Sequence, residues 1–130
     1  MSESNEGRGT LLVVEDSEDL VEVWKILFAH AGYAARFCAT GQAALALVDE
    51  GYAPDVLITD FYLPDLTGLQ VIRQVRARNA GVRFLMVTGH SDEDFLQRLR
   101  EEGIEVICKP AKFDGLVARL SAMIDGDTPI

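Results

Sequence analysis

Short apolar runs alternate with stretches of helical periodicity along most of the chain. Residues 11–14 (LLVV) form a strand-like run, and in residues 18–31 the apolar side chains recur at helical spacing up to Gly32, which suits a helix C-cap. Four further pairs of a strand-like run and a helical stretch follow along the chain. The predicted strands are 11–14, 34–39, 55–59, 83–87 and 105–108, and the predicted helices are 18–31, 42–50, a helix containing 69–75, 93–102 and 113–124.

The apolar runs predict strands that are buried on both faces, because they are continuous rather than interrupted by alternating polar residues. Such strands, each followed by a helix, are typical of a parallel sheet between two helical layers with right-handed crossovers. We therefore predict a single α/β domain over residues 10–124, with polar tails at residues 1–9 and 125–130.

Composition and charge disfavour several classes of protein. The 130 residues include 12 Lys or Arg and 21 Asp or Glu, so the net charge is 12 − 21 = −9, which argues against a basic protein that binds nucleic acid or a membrane surface. The longest apolar run, residues 43–48, is far shorter than the roughly 20 residues of a membrane-spanning helix. Cys38 and Cys108 match no disulfide or metal pattern, and we expect both to be small, buried or half-buried side chains of a cytoplasmic protein.

Polar side chains that can do chemistry follow four of the five predicted strands. Ligands of open parallel sheets bind beyond the carboxyl ends of the strands, so we expect these residues at one edge of the sheet. They are Glu15 and Asp16 after the first strand, Asp60 after the third, Thr88 and His90 after the fourth, and Lys109 after the fifth.

Three carboxylates at one edge repel each other unless a cation lies among them. Mg²⁺ suits such a site, since it prefers carboxylate, water and phosphate oxygens. Lys109 adds a fixed positive charge and Thr88 a hydroxyl donor. Together these groups predict a site that places a phosphoryl group on Asp60 by in-line attack.

Each of these residues also has a simpler interpretation when it is taken alone. Glu15 and Asp16 suit the start of a helix, where acids interact favourably with the helix dipole. Asp60 suits a turn, Thr88 a loop, and Lys109 a solvent-exposed position before a proline. Their joint occurrence at successive strand ends favours the phosphoryl-transfer interpretation.

Four segments resemble the receiver domain of two-component response regulators, and the chain is similar in length to the single-domain chemotaxis regulator. The segments are LLVVEDSED, DVLITDFYLPDLTGLQVI, LMVTGH and VICKP, and the resemblance covers roughly residues 10–124. It implies a doubly wound, flavodoxin-like three-layer (βα)5 sandwich with sheet order 2-1-3-4-5. Two helices are expected on one face of the sheet and three on the other.

The resemblance also implies a phosphoacceptor and a set of metal ligands. Asp60 matches the phosphoacceptor, Asp16 matches the direct Mg²⁺ ligand, and Glu15 matches a neighbouring acid that often acts through water. The backbone carbonyl of Tyr62 matches a further metal ligand, and Gly68 matches the turn that enters the third helix.

The residues of the switch are implied in the same way. Thr88 matches the switch hydroxyl and Lys109 the lysine of the family's site, and the Lys109–Pro110 bond resembles one that is cis in this family. Phosphorylation then changes the surface formed by the fourth helix, the fifth strand and the fifth helix.

The resemblance implies a signalling protein of the bacterial cytoplasm rather than an enzyme, apart from slow self-dephosphorylation. A histidine kinase, a phosphotransfer protein or a small acyl phosphate would donate the phosphoryl group, and a downstream protein would bind the changed surface. The same surface is open to homodimerisation, whereas direct nucleic-acid binding and membrane insertion are not expected. The chain is either a stand-alone protein, which its short tails favour slightly, or a receiver from a longer regulator or hybrid sensor kinase.

Three positions depart from the family pattern or could modulate the site. Val106 occupies the position of a switch Tyr or Phe, and a small aliphatic side chain cannot swing between buried and exposed states as a ring can. Tyr62 is bulky enough to shade an acyl phosphate from water, and His90 is expected near the entrance of the site. On the first helix, Trp24 is predicted to be half-buried and His30 to interact with the C-terminal end of the helix dipole.

Two other functions compete with a phosphorylated switch. A pseudo-receiver that only binds a partner would lack an acid or the lysine, and none is missing here. A phosphatase or phosphomutase of the haloacid dehalogenase type would carry a second Asp where this chain has Tyr62. Dinucleotide binding is excluded, because Gly7 and Gly9 precede the first strand instead of following it.

Overall fold

The computed structural model describes residues 7–89 and 91–125, in which five strands and five helices alternate. The strands are β1 Gly9–Val14, β2 Tyr33–Cys38, β3 Val56–Thr59, β4 Arg83–Thr88 and β5 Glu105–Cys108, and the helices are α1 Glu18–Ala31, α2 Gly41–Asp49, α3 Gly68–Arg78, α4 Glu93–Glu101 and α5 Phe113–Asp125. Every predicted element is present. The bounds predicted for the other nine elements differ from these by one or two residues at most, and α3 includes the predicted residues 69–75.

The five strands form one parallel sheet in the order β2-β1-β3-β4-β5. Both neighbours of β3 are strands, and all four of its residues are buried, as its continuous apolar run predicts. The order reverses between β1 and β3, so the loops after these two strands diverge and leave a crevice at the carboxyl edge. The α/β fold class and the strand order are therefore confirmed.

Alternate residues along the strands feed two separate hydrophobic cores. Leu11 and Val13 of β1 pack with α1 and α5, whereas Leu12 and Val14 pack with α2, α3 and α4. This alternation follows from the two-residue period of a strand. The expected division into two helices on one face and three on the other is confirmed.

Local signals at the ends of α1 agree with the prediction. The hydroxyl of Ser17 accepts a hydrogen bond from the Leu20 backbone N–H at 3.3 Å, which caps the N-terminus. Gly32 has φ 96°, a left-handed conformation that terminates the helix, and His30 lies in the last turn. Helix α1 therefore begins directly after the short loop that carries Glu15 and Asp16.

Two predicted exposures were wrong. Trp24 is buried at 8% exposure rather than half-buried, because it faces the core and its ring lies 5.8 Å from that of Phe28 in an edge-on contact. Cys38 is half-buried as expected, but Cys108 is exposed because it ends β5 at the edge of the sheet.

Regular structure begins before residue 10 and ends after residue 124. Arg8 donates its backbone N–H to the Gly32 carbonyl at 3.1 Å and β1 begins at Gly9, so the last residue of the predicted N-terminal tail belongs to the sheet. Helix α5 likewise includes Asp125. Residues 1–6 and 126–130 of the predicted tails lie outside the described residues. Within the described part of the chain, no helix combines the length and hydropathy that a bilayer crossing requires.

Candidate phosphorylation site

The carboxyl ends of β3 and β5 bring a carboxylate and an ammonium into direct contact. Asp60 follows β3 and Lys109 follows β5, and the Lys109 Nζ donates to Asp60 Oδ2 at 2.6 Å across the end of β4. The Asp60 side chain is only 14% exposed and the Lys109 side chain 35%, so water screens this pair less than a surface ion pair. The structure thus brings together two predicted site residues that lie 49 positions apart.

The other oxygen of Asp60 is oriented by its own loop. Asp60 Oδ1 accepts a hydrogen bond from the Phe61 backbone N–H at 2.6 Å, and the Tyr62 N–H lies 3.4 Å from the same oxygen. The interpretation of Asp60 as a turn residue is therefore correct in part, since its carboxylate does accept from the turn. The second oxygen still faces Lys109, so the two interpretations are compatible.

The fourth strand contributes Thr88 between these two residues. Thr88 is fully buried, and its backbone carbonyl accepts from the Lys109 N–H at 2.8 Å. The Lys109–Pro110 peptide bond is cis, as the family resemblance implies. Lys109 is thus attached to the end of β4 by its backbone and to Asp60 by its side chain.

A buried acid lies beside this ion pair. Glu15 is buried, and its Oε2 accepts from the Ser17 N–H at 3.0 Å, whereas Asp16 is exposed. Burial is the largest cause that raises the pKa of Glu15, and the nearby carboxylates of Asp60 and Asp16 raise it further, against the Ser17 hydrogen bond and the charge of Lys109. Since Ser17 provides the cap of α1, neither acid is needed for that purpose.

The charge of Lys109 is favoured by the same carboxylates. Burial lowers the pKa of the ammonium, but the hydrogen bond and charge of Asp60, with the charges of Glu15 and Asp16, outweigh burial and raise the pKa above 10.5. The four predicted charged residues therefore form one electrostatic site with a protonated lysine at its centre.

The donor chemistry of this site fits a hard divalent cation. Among residues 7–89 and 91–125, no three His, Cys, Asp or Glu side chains are arranged to hold a metal ion together. Mg²⁺ does not require three, because it is usually bound by one or two carboxylates and keeps several waters. The carboxylate oxygens of Asp16 and Asp60, and the backbone oxygen of Tyr62, belong to the ligand class that Mg²⁺ selects.

The predicted modulating residues have different environments. Tyr62 is 64% exposed, and its ring contacts that of Phe61 edge-on at 4.8 Å, so it lies at the rim of the site. Val106 is buried in the core that packs against α2, α3 and α4. His90 lies outside the described residues, and its role at the entrance stays a prediction.

Two features of the site were not predicted from the sequence. The Asp65 carboxylate accepts hydrogen bonds from the backbone N–H groups of Gly41 and Gln42 at 2.8 and 2.9 Å. The rings of Phe61 and Phe95 meet edge-on at 5.1 Å and link the loop after β3 to α4. No local pattern signals either contact, since each joins residues that are far apart along the chain.

Comparison with known proteins shows which proteins the chain is similar to. The family model described as "Response regulator receiver domain" matches residues 11–121. The sensory transduction protein RegX3 of Mycobacterium tuberculosis is 34% identical over 116 residues, which cover 88% of this chain and 50% of RegX3. The DNA-binding response regulator MtrA of Mycobacterium leprae is 34% identical over 118 residues, which cover 90% of this chain and 52% of MtrA. The chain spans about half the length of these curated relatives.

Solved structures show the same fold. The signal receiver domain of a signal transduction histidine kinase from Syntrophus aciditrophicus has a TM-score of 0.80 and 25% identity, with 94% of both chains covered. A LuxR-family two-component response regulator from Aurantimonas sp. SI85-9A1 has a TM-score of 0.81 and 25% identity, with 94% of this chain and 89% of that chain covered. The chain therefore belongs to the response regulator receiver family of two-component signalling.

Proposed function

We propose that Asp60 is the phosphoacceptor of this receiver and that a histidine kinase or a phosphotransfer protein phosphorylates it. The observation that supports this assignment is the 2.6 Å contact between Lys109 Nζ and Asp60 Oδ2 at the carboxyl edge of the sheet. A cation held against the acceptor carboxylate is the arrangement that phosphoryl transfer requires, because negative charge accumulates on the phosphoryl oxygens.

Phosphoryl transfer moves the group from a nitrogen of the donor to an oxygen of Asp60. An Asp60 carboxylate oxygen attacks the phosphorus of a donor phosphohistidine, so an O–P bond forms while the N–P bond breaks and its electron pair returns to the imidazole. Lys109 stabilises the charge on the phosphoryl oxygens. Water later attacks the acyl phosphate, releases inorganic phosphate and restores the Asp60 carboxylate. In this proposal the domain acts as a signalling element rather than as an enzyme with a separate substrate, and it acts in the cytoplasm.

Asp16, Asp60 and the Tyr62 carbonyl, with Glu15 acting through water, would hold Mg²⁺ at this site. When bound, the ion supplies positive charge to the phosphoryl oxygens. The residues of the chain do the rest: Phe61 orients one oxygen of Asp60 through its backbone N–H, and Lys109 binds the other.

We further propose that the buried Thr88 hydroxyl moves to donate to a phosphoryl oxygen and carries the loop after β4 with it. The surface of α4, β5 and α5 then changes, and a downstream protein binds it. Because Val106 is a buried aliphatic residue in β5, this change proceeds without rotation of a ring at that position.

Intact-mass spectrometry tests the acceptor. We expect wild-type protein incubated with acetyl phosphate and Mg²⁺ to gain the mass of one phosphoryl group, and a chelator to prevent this. Asp60→Asn is expected to gain nothing, whereas Asp55→Asn, which changes an aspartate just before β3 at the opposite edge of the sheet, should be labelled like wild type. Equal labelling of Asp60→Asn and wild type would refute the assignment, and an unlabelled wild type that still binds Mg²⁺ would favour a pseudo-receiver.

The same adduct tests the position of Tyr62. Its large, exposed ring stands at the rim of the site, where it is expected to restrict the access of water to the acyl phosphate. We expect the adduct on Tyr62→Ala to decay faster than on wild type, and the adduct on Tyr62→Phe to decay at a similar rate. Identical decay of all three adducts would contradict a shielding role.

A further inference from the structure

The loop between β3 and α3 is attached to the start of α2 by one side chain. Asp65 Oδ1 accepts from the Gly41 N–H at 2.8 Å, and Oδ2 accepts from the Gln42 N–H at 2.9 Å. Both N–H groups belong to the first turn of α2, where they lack partners within the helix and where the helix dipole favours a carboxylate. The hydrogen bond from Gln42 is the largest cause that lowers the pKa of Asp65, so the carboxylate is charged. We call the two hydrogen bonds of Asp65 to Gly41 and Gln42 the clamp.

The packing around this clamp leaves no spare room. A Cβ on Gly41 would lie 2.7 Å from Val71 Cγ2 and 2.9 Å from Leu66 Cδ1, so α2 approaches the loop and α3 as closely as a glycine allows. The hydrogen bonds of Asp65 therefore hold a contact that is also filled by apolar atoms. This combination fixes the outer part of the loop relative to α2.

The inner part of the loop is fixed against the phosphoacceptor. The Gly68 N–H donates to the Phe61 carbonyl at 2.6 Å, and Tyr62 and Thr67 form an isolated antiparallel bridge. Residues 61–67 thus form a closed loop whose base lies at Asp60 and whose outer part is held by Asp65. The Tyr62 carbonyl, a proposed metal ligand, lies between these two attachments.

We propose that Asp65 is a positioning residue for the metal site, because it holds the loop in the conformation that presents the Tyr62 carbonyl. This inference rests on the proposed function of Asp60 and adds a residue that does not touch the phosphoryl group. Without the clamp, the loop has to be ordered when the ion binds, and the entropy of ordering it weakens binding. Removal of groups that orient metal ligands commonly weakens affinity by about tenfold or more.

Calorimetric titration of the full chain with MgCl2 tests this inference without any phosphorylation. We expect Asp65→Ala to raise the dissociation constant for Mg²⁺ by about tenfold relative to wild type. Asp65→Asn keeps one acceptor oxygen and should fall between the two. It also serves if Asp65→Ala does not fold, which far-ultraviolet circular dichroism will reveal.

Asp55 offers a matched control. Its Oδ2 also accepts from a backbone N–H, that of Thr10 at 2.9 Å, but it lies at the opposite edge of the sheet. Asp55→Ala therefore removes a comparable structural hydrogen bond. We expect its dissociation constant for Mg²⁺ to stay within about twofold of wild type, even if its melting temperature falls as much as that of Asp65→Ala.

A second readout separates positioning from chemistry. In acetyl phosphate labelling, Asp65→Ala should need more Mg²⁺ for half-maximal rate, while the rate at saturating Mg²⁺ changes less. Equal dissociation constants for wild type and Asp65→Ala, or equal weakening in Asp65→Ala and Asp55→Ala, would overturn the inference alone. A wild-type protein that neither binds Mg²⁺ nor becomes labelled would overturn the proposed function together with it.

Discussion

Gly68 shows how one missing side chain shapes the site. An ideal Cβ at this position would clash with the backbone carbonyl oxygen of Asp60, since the two atoms would lie far inside van der Waals contact. The obstacle is a backbone atom that cannot rotate away, so the start of α3 can approach the acceptor only with glycine there. Gly115, near the start of α5, is the opposite case, because a Cβ there would meet no atom within 4 Å apart from its chain neighbours and the backbone of its own helix.

This contrast predicts opposite effects of one substitution at the two glycines. Gly68→Ala should lower the free energy of unfolding by about 1–3 kcal/mol, since the added methyl forces the loop away from Asp60. Gly115→Ala should raise it by about 0.5–1 kcal/mol, because alanine favours a helix more than glycine does. Urea denaturation followed by circular dichroism measures both, and a Gly68→Ala protein as stable as wild type would show that the loop can move freely.

The residues that could be predicted from the sequence are those with a chemical signature at a strand end. Asp60 and Lys109 follow apolar runs, and their position at the same edge of the sheet follows from the parallel arrangement of those strands. The contacts of Asp65 could not be predicted, since an Asp after a proline resembles any turn residue. Only the approach of α2 supplies its partners.

At the scale of elements, the middle and the last turn of α3 are joined to the residue that follows α4. The Arg73 guanidinium binds both carboxylate oxygens of Glu102, with Nη2–Oε2 at 2.7 Å and Nε–Oε1 at 3.3 Å. Arg76 adds a hydrogen bond to the Glu102 carbonyl at 2.9 Å. The two helices are thus joined by a bidentate ion pair and by a backbone contact, at the edge of the sheet away from Asp60.

This ion pair predicts a pH-dependent contribution to stability. The hydrogen bond from Arg73 is the main cause that lowers the pKa of Glu102 below 4.5, its ordinary value. A carboxylate with a lowered folded-state pKa stabilises the fold above its unfolded-state pKa, and this stabilisation is lost as pH falls through the folded-state pKa. Glu102→Gln should therefore lower the free energy of unfolding at pH 7, by less than about 1 kcal/mol because both side chains are partly exposed.

Denaturant titrations at pH 7 and at a series of pH values below 4.5 measure how much the free energy of unfolding differs between Glu102→Gln and wild type. We expect that difference to shrink as the pH falls through the acid range. Glu101→Gln removes the same charge from the neighbouring exposed position and should have almost no effect at any of these pH values. A difference that stays constant with pH would mean that the ion pair contributes nothing to folding.

At the scale of the whole molecule, charge opposes compactness. The net charge of −9 means that the excess acidic side chains repel one another. Several of these acids lie together in the β1–α1 loop and the first turns of α1. The exposed ion pairs, such as Arg78 with Asp49 at 2.6 Å, offset this only weakly. The packing of helices on both faces of the sheet therefore has to outweigh an unfavourable electrostatic balance.

Salt should accordingly stabilise the protein. Raising the NaCl concentration from about 0.01 M to about 0.15 M shortens the Debye length from roughly 30 Å to roughly 8 Å, so long-range repulsion is screened more than contacts between buried or partly buried charges. We expect the melting temperature to rise by a few degrees in differential scanning calorimetry. A fall in melting temperature would mean that attractive ion pairs contribute more than the net repulsion.

The sequence by itself determined the elements and their order along the chain, because apolar spacing and caps such as Ser17 and Gly32 act over a few residues. It also determined which groups stand at the strand ends, and hence the chemistry of the site. Trp24 and Cys108 were placed wrongly, since exposure depends on which elements cover a residue.

Only the tertiary structure decided the contacts that join distant parts of the chain. The pairing of Asp60 with Lys109 spans 49 positions, and the hydrogen bond of Asp65 to Gly41 spans 24. The narrow space at Gly68 likewise depends on how α3 packs against the end of β3. These contacts depend on the packing of whole helices on a twisted sheet, and no local pattern of residues contains that information.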